Sequence, residues 1–148
     1  MEAGVANEGL TKEQIEKLRD LRSRLLHLHK SLLEMEGQNF EKESWRVTTG
    51  ELLQLVINHS QFAWVRIMSA LVFQIDEELN GEEPATSEDF EDLLSQARLL
   101  FTSPGNEEFK TNYKAALQRE PSVVMAHAAV MQVLRKDNNG SEVLAPLW

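Results

Sequence analysis

Eleven of the fourteen residues in the stretch 62–75 are apolar, and this block constrains the fold more than any other. Only Arg66, Ser69 and Gln74 interrupt it. The block is too short to span a bilayer as a helix. A helix that is apolar nearly all round must be covered on most sides by its neighbours. The stretch therefore predicts the central helix of a domain, running over about 61–79 with Ser60 as its cap. Asp76, Glu77 and Glu78 close it with the wrong sign for the helix dipole, so that end is expected to be solvated or to meet a basic neighbour.

Covers for this helix are present on both sides. Thr11 and Gln14 form a capping box, with Leu10 and Ile15 placed as its hydrophobic staple. Leu18, Leu21, Leu25, Leu28, Leu32 and Met35 then recur at spacings of three and four, the seam of a bundle. Leu26, Leu33 and Phe40 add a second stripe, too wide for a two-stranded coil. This helix is predicted over 11–40, with a kink or fraying at Gly37, which costs roughly 1 kcal/mol against alanine inside a helix. Thr48 and Glu51 cap a short helix over 51–57. After an acidic loop at 80–85, Thr86 and Asp89 cap a helix carrying Phe90, Leu93, Leu94, Ala97, Leu100 and Phe101 on one face. Ser103, Pro104 and Gly105 stop it. Two further helices are predicted over 106–119 and from Pro121 to about 136, Pro121 suiting a first turn.

No stretch alternates with period two, so no sheet is expected. The 148 residues read as one all-α domain, an antiparallel bundle of four to six helices over 11–136. A lead-in over 1–10 precedes it, and an apolar tail within 137–148 follows and is expected to pack back.

Composition narrows the chemistry. The formal charge is −9, from 15 basic and 24 acidic side chains, which disfavours a phosphate backbone as partner. There is no cysteine, so disulfides, thiolate metal sites and a cysteine nucleophile are excluded. No leader-like or membrane-spanning segment is read, and a cytoplasmic setting is expected. Charge is uneven: the stretch 76–108 holds eleven acidic residues against Arg98 alone, while 11–30 holds six basic and three acidic ones. These are solvated helix faces, or the acidic segment meets a basic surface of a second copy.

Catalytic signatures are missing: there is no nucleophile elbow, phosphate-binding loop or dinucleotide glycine pattern. His27 and His29 point roughly 200° apart around one helix and cannot share an ion. Glu-x-x-His pairs are absent, and His29 and His127 lie in apolar stripes, so no metal or cofactor is expected. Arg66 is the most unusual residue, a guanidinium within the apolar block. Breaking a buried pair costs on the order of 3–5 kcal/mol, so Arg66 must reach solvent or a carboxylate, for which Glu36 is the candidate. Trp45, Phe62 and Trp64 concentrate aromatic area nearby and are expected to be core.

Leu52, the run Phe62-Ala63-Trp64-Val65-Arg66, Ser69 and Ile75-Asp76-Glu77, with Leu28-His29-Lys30 upstream and Ala126-His127-Ala128 downstream, resemble a set of small, uncharacterised bacterial all-helical proteins. The resemblance implies a bacterial, cytoplasmic protein and no particular active site. Two functions are open. The first is a non-enzymatic interaction or regulatory protein working through a protein partner or as a homodimer, by its first helix or its tail. The alternative is a bundle holding a small ligand or metal in a pocket near His29, Glu36, Trp64 and Arg66.

Overall fold

The computed structural model describes residues 9–135, and these form six α-helices and no strand. They are α1 (Lys12–Glu43), α2 (Thr49–Asn58), α3 (Ala63–Asn80), α4 (Ser87–Thr102), α5 (Glu107–Arg119) and α6 (Pro121–Leu134). A single 3₁₀ turn, Ser60–Phe62, leads into α3. The fold is all-α, and none of the described helices is long and apolar enough to cross a membrane. The lead-in up to residue 8 and the tail within 137–148 lie outside the described residues.

Helix starts follow the local chemistry. The Thr11, Thr48 and Thr86 hydroxyls each accept the backbone N–H three residues on, and Gln14, Glu51 and Asp89 each return a bond to the threonine N–H. Asn106 caps α5 through Phe109 N–H, and Pro121 occupies the first turn of α6. The start of α3 differs from expectation. Ser60 does not cap it; the His59 ring accepts Gln61 N–H at 3.0 Å and sets the 3₁₀ turn from which α3 grows.

The spine of the bundle is α1, which packs most extensively against α6 and α3. Leu18, Leu21, Leu25, Leu28 and Leu32 are all fully buried. Three polar rungs fix α1 antiparallel to α3: Glu36 with Trp64, His29 with Ser69, and Arg22 with Asp76. The last supplies the basic neighbour expected at the acidic end of α3. The Arg24 guanidinium ties α6 on, donating to Ala129 O at 2.6 Å and Gln132 Oε1 at 2.9 Å, and bonds Asp20 one turn back.

Helix α3 touches α1, α2, α4 and α5, and one edge of it is left uncovered. Its edge at Ala70, Phe73 and Gln74 faces solvent, and Phe73 is 62% exposed. Part of the apolar surface of a small domain ordinarily stays wet. Gly37 also departs from expectation. Helix α1 runs straight through it to Glu43. A Cβ there would lie 3.2 Å from Leu52 Cδ1, so the glycine is a notch that lets α2 cross α1.

Truncating the seam should register strongly. Leu25→Ala leaves a cavity among fully buried leucines, and about 2–5 kcal/mol of stability should be lost in urea unfolding followed by circular dichroism.

Candidate functional site

The sequence-derived candidates divide into separate local structures. Glu36 and Trp64 meet, both nearly fully buried. Trp64 Nε1 donates to Glu36 Oε2 at 2.7 Å, and Asn39 Nδ2 donates to Oε1 at 3.0 Å. Gln61 Nε2 reaches both Glu36 Oε1 and Glu36 O at 3.4 Å. Neutral donors from α1, α3 and the 3₁₀ turn thus satisfy this carboxylate.

Arg66 is not the partner of Glu36. Its Nη1 donates to Val56 O at 2.8 Å and His59 O at 3.2 Å, at the C-terminal end of α2. A cation there meets the negative end of the helix dipole, takes up the terminal carbonyl Val56 O and shares His59 O with the Phe62 N–H. Half-buried Arg66 is therefore a clamp on α2, which answers how an apolar block can carry a guanidinium.

His29 sits further along, its Nε2 2.6 Å from Ser69 Oγ, and burial lowers its pKa below the usual 6.5. A serine beside an imidazole invites comparison with nucleophilic catalysis, but that chemistry also needs donors aimed at a developing oxyanion. Ser69 lies in the interior of α3, where backbone N–H groups are spent on the helix. The four candidates fall into three separate contacts: Glu36 with Trp64, His29 with Ser69, and Arg66 at the end of α2. Among the described residues no three histidine, aspartate or glutamate side chains are grouped to hold a metal ion.

Two other polar groups carry perturbed protonation. His127 Nδ1 lies 2.7 Å from the Tyr113 hydroxyl, within a cluster where Phe109 and Tyr113 stack at 5.2 Å and Phe101 packs on both Tyr113 and His127. Burial, and secondarily Arg135, pulls the His127 pKa down to about 4, while burial pushes the Tyr113 hydroxyl up. Tyr113 O–H donating to Nδ1 of a neutral ring fits both directions. Glu78 is shifted the other way, to about 7, by burial and then by Asp89 and Asp92; its Oε1 is buried without a hydrogen-bond partner.

Geometry draws attention instead to α2, which the sequence marked only as a short helix. None of its ten residues is buried, although Leu52, Leu53, Leu55, Val56 and Ile57 are apolar. Leu53 is 58% and Ile57 54% exposed. Trp45, expected in the core, is 60% exposed. It is held in place nonetheless: its ring stands edge-on to Phe40 at 5.1 Å, and Glu41 accepts Val47 N–H at 2.8 Å across the loop. Trp45, Val47, Leu55 and His59, with Glu51, Gln54 and Asn58, line a cleft of about 390 Å³. One sequence signal marks this region: residues 52–65 contain no Asp, Glu, Lys or Arg.

Two measurements check these assignments. Trp64→Phe removes the indole donor from a buried carboxylate and should cost about 1–3 kcal/mol in urea unfolding read by circular dichroism. The pH dependence has opposite signs at the two shifted groups. His127 has a folded pKa below its usual 6.5, so its contribution is intact above pH 6.5 and is lost as pH falls towards about 4. His127→Gln should flatten that acid limb of the melting curve against pH. Glu78 has a folded pKa above its usual 4.5, so its contribution is intact below 4.5 and is lost as pH rises through about 7. Glu78→Gln should raise the melting temperature at pH 8 and leave it unchanged at pH 4.

No family model, curated protein or solved structure matches the chain, so no relative assigns a role to the Glu36–Trp64 pair or to the Trp45 cleft.

Proposed function

We propose that the chain is a non-enzymatic interaction protein that self-associates by presenting α2 and Trp45 to a second copy of itself. The observation that carries this reading is a capped, clamped helix with no buried residue and two apolar side chains more than half exposed. Exposed apolar side chains on an ordered helix suit an interaction surface, and tryptophan is a frequent anchor in such surfaces. Charge favours a second copy. A chain of net charge −9 repels itself over most of its surface, and the stretch 52–65 contains no Asp, Glu, Lys or Arg. An isologous contact centred on Leu53 and Ile57 meets little charge, Glu51 being the one charged residue of α2. The leucine seam of α1 is filled by α6 and α3, which leaves α2 as the better surface for association. A bacterial, cytoplasmic setting suits a cysteine-free chain with this resemblance.

Sedimentation velocity across a wide concentration range tests the proposal. The wild-type chain should shift to dimer, and Leu53→Glu with Ile57→Glu should hold it monomeric with helix content and melting temperature unchanged. A wild-type chain that stays monomeric at the highest concentration overturns the reading. A second reading, a small apolar ligand in the cleft beside Trp45, is favoured by a volume of about 390 Å³ and a largely apolar lining. A thermal-shift screen of apolar compounds addresses it, with hits expected to disappear in Trp45→Ala.

A further inference from the structure

We propose that the cleft between the first half of α1 and the end of α3 is a binding site for a small α-amino acid, held as its zwitterion. Arg19 and Arg22 of α1, with Asp76, Leu79 and Asn80 of α3, line a cavity of about 270 Å³. Drug-sized ligands occupy cavities of about 300–1,000 Å³, so this one suits a smaller molecule. It lies at the rung between Arg22 and Asp76, whereas α2 crosses α1 at Gly37 and is clamped by Arg66 at the start of α3. No lining residue is shared with the Trp45 cleft, so the inference stands apart from self-association through α2.

The two walls carry opposite charge. Arg19 and Arg22 are three residues apart, which sets them side by side on one face of α1. Arg22 Nε donates to Asp76 Oδ1, and this bond orients the guanidinium. The terminal nitrogens of Arg22 have no partner among the described residues, and Arg19 has no hydrogen bond or ion pair there at all. The neighbouring Asp20 carboxylate does not compete, since it is engaged by Arg24. On the facing wall, Asp76 Oδ2 is an acceptor without a partner among the described residues. Helix α3 ends at Asn80, so the negative end of its dipole also lies on this side.

These features select the ligand. Guanidinium groups present paired N–H donors that match a carboxylate. A lone carboxylate is nevertheless a poor fit, because Asp76, the end of α3 and a chain charge of −9 all oppose it. An ammonium beside the carboxylate reverses that balance. It bonds Asp76 Oδ2, and a cation is the favoured sign at a helix C-terminus. An α-amino acid carries both groups on one carbon and has no net charge. Leu79 adds apolar lining, which suits a short aliphatic side chain.

Titration of the full-length ¹⁵N-labelled chain with L-alanine, followed in ¹H–¹⁵N spectra, tests the assignment. Saturable shifts at millimolar concentration should be confined to the Arg19 and Arg22 Nε–H signals, the Asn80 side-chain amide and backbone amides around these residues and Asp76. Propionate lacks the ammonium and L-alaninamide lacks the carboxylate. Each should bind about tenfold more weakly or worse, as expected for the loss of a charge-assisted hydrogen bond. Arg19→Gln should abolish saturation by L-alanine. Arg19 is exposed and makes no contact that holds the fold, so this variant should keep its helix content and melting temperature. Absent or unlocalised shifts overturn the proposal, as does an L-alanine response that survives Arg19→Gln. An equal response to propionate or to inorganic phosphate makes the cleft a simple anion contact and equally overturns it.

Discussion

The burial of the α1 leucine seam against α6 and α3 is the constraint on which the other features depend. Five leucines with no exposed surface set the axis of the domain, and each fully buried side chain of this kind contributes about 1.5–3 kcal/mol of apolar transfer energy. Once α1 is committed to two neighbours, α3 has one side covered and must find the rest of its shelter from shorter elements. It does so incompletely, which is why Phe73 remains wet and why a groove persists along α4.

Polar contacts refine what the seam establishes. The rungs between α1 and α3 set the register of the antiparallel pair, because a shift by one turn would separate Glu36 from Trp64 and Arg22 from Asp76 together. Glu36 is the most exacting of them, a buried carboxylate whose oxygens are met only by neutral N–H groups. Such a group specifies one arrangement: any packing that withdraws the indole leaves an acceptor buried without its partner. Arg66 works similarly at α2, converting a residue that looks foreign to an apolar block into the end stop of another helix.

Features encoded within a few residues could be read from the sequence. The three threonine capping boxes and the proline at the start of α6 involve partners three residues apart or none at all, and each lies where local chemistry puts it. The leucine seam was readable because its period alone demands a covered face. Features that depend on a distant partner were not. The carbonyls that Arg66 takes up are set by where α2 ends, which no pattern around Arg66 encodes. Trp45 was expected inside on the general habit of large aromatics, but it follows the last turn of α1, where its ring meets Phe40 edge-on and stays 60% exposed. Gly37 looked like a weak point because helix propensity counts only the helix that holds the residue; its purpose lies with Leu52 on α2.

That notch at Gly37 has a dynamic consequence. The described attachments of α2 to the bundle are the crossing at the glycine, the Arg66 clamp and side-chain contacts that leave every α2 residue at least partly wet. Segments with so little buried area open at a small fraction of the global unfolding free energy. The five α1 leucines are buried against α6 and α3, so hydrogen exchange across 49–58 is expected to be decoupled from exchange in α1. The domain thus comprises a durable body and a short, separately releasable arm, and substitutions at residue 37 tune the hold on the arm without altering the body.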